Sequence, residues 1–118
     1  MELNKDTFEK LKSMYSDNGI ERGGYILRSG EVIEIENCAD EKSDNFTFSC
    51  YDLDKMEKSD VIATFHTHIN KSSNLSKEDY DSFVNWDYLY HFIVGKDKIS
   101  CYKVSNRGTV VIEGIDVS

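Results

Sequence analysis

Two histidines separated by one residue, His66-Thr67-His68, are followed downstream by Ser76 and Asp79. Residues 61–65 (Val-Ile-Ala-Thr-Phe) form an apolar, β-branched run that predicts a buried strand ending at His66. Residues at i and i+2 of a strand share one face, so both imidazoles can reach a single ion. The polar stretch at residues 69–74 then turns the chain, and Ser76 opens a helix that carries Asp79. Two neutral imidazoles and one carboxylate leave a fourth tetrahedral position for water, which is the ligand set of a catalytic zinc rather than of a closed structural one.

Each piece also has a plain structural reading. A histidine pair on a strand can be surface decoration. Ser76-x-x-Asp79 has the form of a helix capping box, with serine at the N-cap and an acid at N3. The two readings are compatible, since a capped helix start holds Asp79 in the fixed direction a ligand needs. The combination carries more weight, because the chain has three histidines and two of them share one strand end. Glu21 is the candidate general base. It stands at the start of a predicted strand beside Gly23-Gly24, a glycine pair that marks a close backbone approach. There a carboxylate can take a proton from a metal-activated water and return it to a leaving amine. The plain alternative is an exposed charge at a strand end. His91, within an apolar strand, reads as a hydrogen-bonded structural histidine.

The elements that must position these groups follow from periodicity. Asp6-Thr7-Phe8-Glu9 predicts a capping box opening a helix over residues 7–17, with Phe8, Leu11 and Tyr15 on its inner face and Gly19 ending it. Residues 20–27 and 31–36 predict a hairpin turning at Ser29-Gly30. Phe46 to Cys50 alternates as a short strand, and a short helix over residues 51–58 turns Leu53 and Met56 inward. A long helix from Ser76 to about Asp87 buries Tyr80, Phe83 and Val84, and strands follow at 89–94, 99–104 and 109–113. The order α-β-β-β-(α)-β-α-β-β-β predicts an α/β (α+β) sandwich, a mixed sheet flanked by two main helices.

Composition narrows the function classes. A net charge of −8 argues against nucleic-acid binding, which needs basic surface. The 118 residues predict one domain, residues 1–118. No apolar run reaches membrane-spanning length and the first residues lack a signal-like apolar core, so the expected setting is cytoplasmic, away from membranes. Cys38, Cys50 and Cys101 are odd in number and lack C-x-x-C spacing, which predicts reduced thiols rather than disulfides or ligands. Without proline, turns depend on Gly, Asn, Asp and Ser.

His66-Thr67-His68, seven residues, then Ser76-Lys77-Glu78-Asp79 resembles the JAMM signature of the MPN/JAB1 metallopeptidases, H-x-H followed after seven residues by S-x-x-D. Glu21-Arg22-Gly23-Gly24 matches that family's upstream E-x-x-G element. Asn37-Cys38-Ala39 followed by Phe46, and the strands around Phe92 and Ile99, resemble corresponding segments of bacterial and phage members. The resemblance spans nearly the whole chain and implies an MPN/JAB-like (cytidine-deaminase-like) fold. It implies that His66, His68 and Asp79 bind Zn²⁺, that Glu21 is general base and then acid, and that Ser76 steadies the oxyanion. One departure is Ile69, where many members carry proline, which alters loop stiffness and not the ligand set. The chain also lacks the long insertions of eukaryotic deubiquitinating members and resembles a minimal prokaryotic or phage-type domain.

The implied reaction is hydrolysis of a peptide or isopeptide amide. Its substrate would be a ubiquitin-like or sulfur-carrier protein, or a phage-tail or peptidoglycan (cell-wall) peptide, and an oligomer is possible. The rival from another class is a non-catalytic MPN scaffold that binds protein partners. Scaffold members lose ligand residues, and this sequence keeps all of them. A third reading is a plain α/β domain whose motif is coincidental.

Overall fold

The apolar run before the histidines does form the central strand of a sheet. A computed structural model describes residues 1–118. Its elements are β1 (Glu2–Leu3), α1 (Lys5–Ser13), β2 (Gly23–Leu27), β3 (Val32–Ile35), α2 (Cys50–Glu57), β4 (Val61–Thr67), α3 (Lys77–Asn85), β5 (Tyr90–Val94), β6 (Ile99–Val104), β7 (Val110–Glu113) and β8 (Asp116–Val117). Six strands form one sheet in the order β3-β2-β4-β5-β6-β7. Within this sheet only the β4–β5 pair is parallel, joined by α3 as crossover, so the sheet is mixed and the fold is α+β.

Strand alternation divides the core in two. Ile26, Ala63, Phe65, Phe92, Val94 and Cys101 pack with Leu11 and Met14 at the end of α1. The opposite face carries Ile93, Tyr102 and Val104 against Phe83 of α3, and Tyr25 and Leu89 against Met56 of α2. Thr64, His66 and His91 belong to this second face by the same alternation. The helical layer over it therefore meets the sheet where the histidines point.

His91 is fully buried, as a structural histidine should be. Its Nδ1 accepts from the Thr64 hydroxyl at 2.7 Å and its Nε2–H donates to the Trp86 carbonyl at 2.9 Å. The Phe83 ring stacks on it at 4.2 Å. Burial pushes the imidazole down to about 4. The unfolded chain then binds more protons between pH 6.5 and 4, so this group's stabilising contribution is present above that window and is lost as pH falls through it. The loss amounts to about 3 kcal/mol. An NMR titration of the His91 ring should give a midpoint near 4; a midpoint at or above the model-peptide value overturns this account.

Several sequence expectations need correction. Helix α1 starts earlier than predicted because Asn4, not Asp6, is its N-cap: Asn4 Oδ1 accepts from the Thr7 amide at 2.8 Å. It also ends at Ser13, well before Gly19, since Ser16 leaves the helix to bridge Ile69. Phe46 to Cys50 is not a strand. Its aromatic alternation instead builds an edge-to-face ladder, Phe46 on Phe48 and Phe48 on Trp86, and Ser49 caps α2. In α3 only Phe83 is buried, and Tyr80 and Val84 face solvent. The parallel β1–β8 pair was not foreseen, because two-residue strands carry no readable period. No helix is long and apolar enough to cross a membrane.

Candidate metal centre

His66 is the penultimate residue of β4 and His68 lies one residue beyond the strand. The extended path continues through His68, whose amide donates to the Val94 carbonyl at 3.0 Å. Both rings therefore point from the same face, with centroids 5.2 Å apart. Asp79 meets them from the first turn of α3. The capping box forms as the sequence predicts: Asp79 N donates to Ser76 Oγ at 3.1 Å, and Ser76 N donates to Asp79 Oδ2 at 2.9 Å. That reciprocal pair fixes the carboxylate direction, so Asp79 Oδ1 lies 3.0 Å from His66 Nε2 and Oδ2 lies 3.1 Å from His68 Nε2. One ligand atom from each of the three residues lies within 4.8 Å of the others.

The donor set fits a cation. His66 Nε2 is buried, and although Asp79 Oδ1 is close, the contact is not aligned as a hydrogen bond; the nitrogen has no hydrogen-bond partner. A buried polar atom left so is costly unless something else claims its lone pair. His68 Nδ1–H donates to the Ser72 carbonyl at 2.7 Å, which leaves Nε2 as the ligating nitrogen of the neutral ring. The contact of that Nε2 with Asp79 then calls for imidazolium when no cation is present. Burial opposes that charge on His68, but the Asp79 carboxylate, the Ser72 carbonyl and Glu21 together outweigh it and raise the imidazole above its ordinary value. Burial also acts to raise Asp79, yet His66, His68 and the Ser76 amide hold its carboxyl well below the usual carboxylate range. A cation with these ligands would displace the His68 proton.

Glu21 does not begin the strand, as predicted, but precedes β2 by two residues. It is 2% exposed, not the open strand-end charge of the plain alternative. Burial, reinforced by Asp79 and offset by His66, His68 and Lys71, pushes its carboxyl up to about 7. It lines one cleft with His68, Lys71 and Ser76. The glycine pair beside it makes the close approach expected. A Cβ on Gly23 would meet the Phe65 carbonyl at 2.7 Å and the Phe46 ring at 2.9 Å, and one on Gly24 would strike the Ile33 carbonyl. Ser76 Oγ spends an acceptor lone pair on the cap, and its O–H remains a donor toward the cleft.

The loop between the histidines and α3 is held by residues the sequence did not single out. Buried Ser73 donates its amide to Asp97 Oδ1 at 2.8 Å, pairs with Ser100 Oγ at 2.6 Å, and accepts from the Tyr102 hydroxyl at 2.8 Å. Gly95 has no room for a Cβ against the Ser72–Ser73 backbone. Asn37, which the sequence marked only through its resemblance to a segment of bacterial and phage members, is buried as well and reaches the Glu21 carbonyl. Serines and asparagines in polar stretches read as solvated loop, so periodicity held no signal for them. The three cysteines are free thiols and lie outside the ligand group.

No protein-family model and no curated protein matches the sequence. Solved structures do. The protein DSY2949 from Desulfitobacterium hafniense superposes with a TM-score of 0.70 at 16% identity, covering 99% of this chain and 92% of that one. AF2198, a JAB1/MPN domain protein from Archaeoglobus fulgidus, superposes with a TM-score of 0.61 at 20% identity, covering 99% and 98%. With its mixed sheet and three helices, the chain has the fold of a JAB1/MPN domain.

Proposed function

We propose that this chain is a JAMM-type zinc metallopeptidase or isopeptidase, a hydrolase of peptide or isopeptide amides. The observation that carries the reading is the convergence of His66 Nε2, His68 Nε2 and the Asp79 carboxylate within 4.8 Å, with the buried His66 Nε2 making no aligned hydrogen bond. Two nitrogens and one carboxylate oxygen suit zinc, with a coordination position left open. Zinc in such a site acts as a Lewis acid that activates water and polarises a carbonyl. Glu21 takes a proton from the attacking water and delivers it to the departing amine, a task suited to a carboxyl that titrates near neutrality. The Ser76 hydroxyl donates to the carbonyl oxygen as it gains charge. No thiol nucleophile is called for, and the Cys101 thiol is buried and pushed up to about 12.

The expected substrate is a protein or peptide: a ubiquitin-like protein, or a cell-wall or phage-tail peptide. The intact ligand set weighs against a scaffold that only binds partners. The deciding measurement is metal content after purification without a histidine tag, wild type beside His68→Ala. The expected result is about one zinc per wild-type chain and none in the variant. Zinc absent from both after metal is added back overturns the proposal and leaves Ser76 and Asp79 as a helix cap. A positive result leads to assays on ubiquitin-like fusions and peptidoglycan peptides.

A further inference from the structure

Glu21 owes its place to groups other than its own side chain. Its carboxylate makes no hydrogen bond in the structure, so its direction is inherited from its backbone and packing. That backbone is clamped by the irregular segment at residues 37–47. The Glu21 amide donates to the Lys42 carbonyl at 2.7 Å, and the Glu21 carbonyl accepts from Asn37 Nδ2 at 2.9 Å. The next residue is tied to the ligand strand, with Arg22 N donating to Thr67 Oγ1 at 2.9 Å and Thr67 N donating to the Arg22 carbonyl at 2.7 Å.

Asn37 is the hub of the clamp. It is 3% exposed and its side chain bonds five backbone groups. Nδ2 donates its two N–H groups to the carbonyls of Glu21 at 2.9 Å and Asn45 at 2.8 Å, one of them shared with the Lys42 carbonyl at 3.3 Å. Oδ1 accepts from the amides of Ala39 at 3.0 Å and Thr47 at 3.3 Å. The two N–H groups facing Oδ1 fix the orientation of the amide, because the flipped form would set donors against donors. Few other side chains serve: aspartate would turn a charge on three carbonyls, and an aliphatic residue would leave four of the five groups without a partner, the Lys42 carbonyl alone keeping another in the Glu21 amide. Asn45, held by this hub, is followed by Phe46, whose ring lies against Gly23, the partner of His66 in the sheet. The hub thus joins the segment at 37–47 to the strand on which the first ligand sits.

We propose that Asn37 is a positioning residue for Glu21: through the Glu21 carbonyl it holds the buried carboxylate in the cleft it shares with His68 and Ser76. This rests on the metal and general-base reading above, and goes beyond it by assigning the placement of the base to a residue that touches neither metal nor substrate. A displacement of about 1 Å is enough to disable a positioned group.

The test uses Co²⁺ as the probe, because it takes the same donors as zinc and shifts the resonances of nearby carbons according to their distance. Wild type and Asn37→Ser are loaded with Co²⁺ and the pseudocontact shift of the Glu21 carboxyl carbon is measured by ¹³C NMR. The expected result is one Co²⁺ per chain and an unchanged visible cobalt spectrum in both. The Glu21 carbon should shift strongly in wild type and by roughly half as much in the variant. A purely structural asparagine would lower the melting temperature and leave that shift intact; this outcome overturns the proposal alone. A wild-type Glu21 carbon that does not shift removes the base assignment and the proposal together. Failure of wild type to bind Co²⁺ removes the metal reading beneath both. Should Asn37→Ser not fold, scalar coupling across the hydrogen bond from Asn37 Nδ2 to the Glu21 carbonyl carbon is measured in wild type, and its absence overturns the proposal.

Discussion

Replacing Asp79 by asparagine is expected to lower zinc affinity by at least about 100-fold while leaving the fold intact. Asp79 is the only anion among the three candidate ligands. The substitution separates its two roles. An asparagine Oδ1 can still accept from the Ser76 amide, so the start of α3 keeps its cap, whereas the charge that draws a cation is gone. Competition against a chromophoric chelator reads the affinity, and thermal melting of the metal-free chain reads the cap. The pH dependence gives a second handle. Metal binding must displace the His68 proton, so wild-type affinity falls as pH drops through the raised value of that imidazole. Without the Asp79 carboxylate the proton is held less firmly, and the acid limb moves to lower pH. Unchanged affinity would strike Asp79 from the ligand set.

The parts of this site that the sequence made legible are those where one local rule coincides with one chemical need. The i, i+2 histidines share a face because β4 is a strand, and Ser76-x-x-Asp79 fixes a carboxylate because it is a capping box. Strands β2, β4, β5 and β6 were legible for the same reason, since each is apolar enough to carry its own period. What escaped was set by tertiary contact. Helix α1 stops early because Ser16 bridges Ile69, far along the chain, which no propensity encodes. Phe46 and Phe48 alternate like strand residues, yet they have no ladder partner and pack on Gly23 and Trp86 instead. The groups that hold the site, Asn37 and Ser73, sit in polar stretches whose burial only the folded sheet creates. The Glu21 backbone is clamped by that same segment, whose hydrogen bonds no local pattern encodes.

Replacing Glu21 by glutamine should separate binding from chemistry most sharply. The three candidate ligands are untouched, so metal content is expected to stay at the wild-type level, while turnover of any amide substrate that the zinc-loaded wild type cleaves should fall by about 100- to 10,000-fold. A base must be deprotonated to act, so wild-type kcat/KM rises with pH through the Glu21 value, and the variant lacks that limb. The metal-free chain puts the carboxyl at about 7; a bound cation moves the limb lower, because a positive charge nearby favours the carboxylate. Stability runs the other way. With its folded value raised from 4.5 to about 7, Glu21 binds protons more tightly in the folded chain, so metal-free stability falls as pH rises through that window. Glutamine carries no such charge and should make the metal-free chain more stable at pH above this window, by up to about 3 kcal/mol. A carboxylate kept at a net loss to the fold supports the proposed role of Glu21 as the base. Near-wild-type turnover in Glu21→Gln would remove it from the mechanism, and a variant no more stable than wild type at alkaline pH would remove the burial on which its raised value depends.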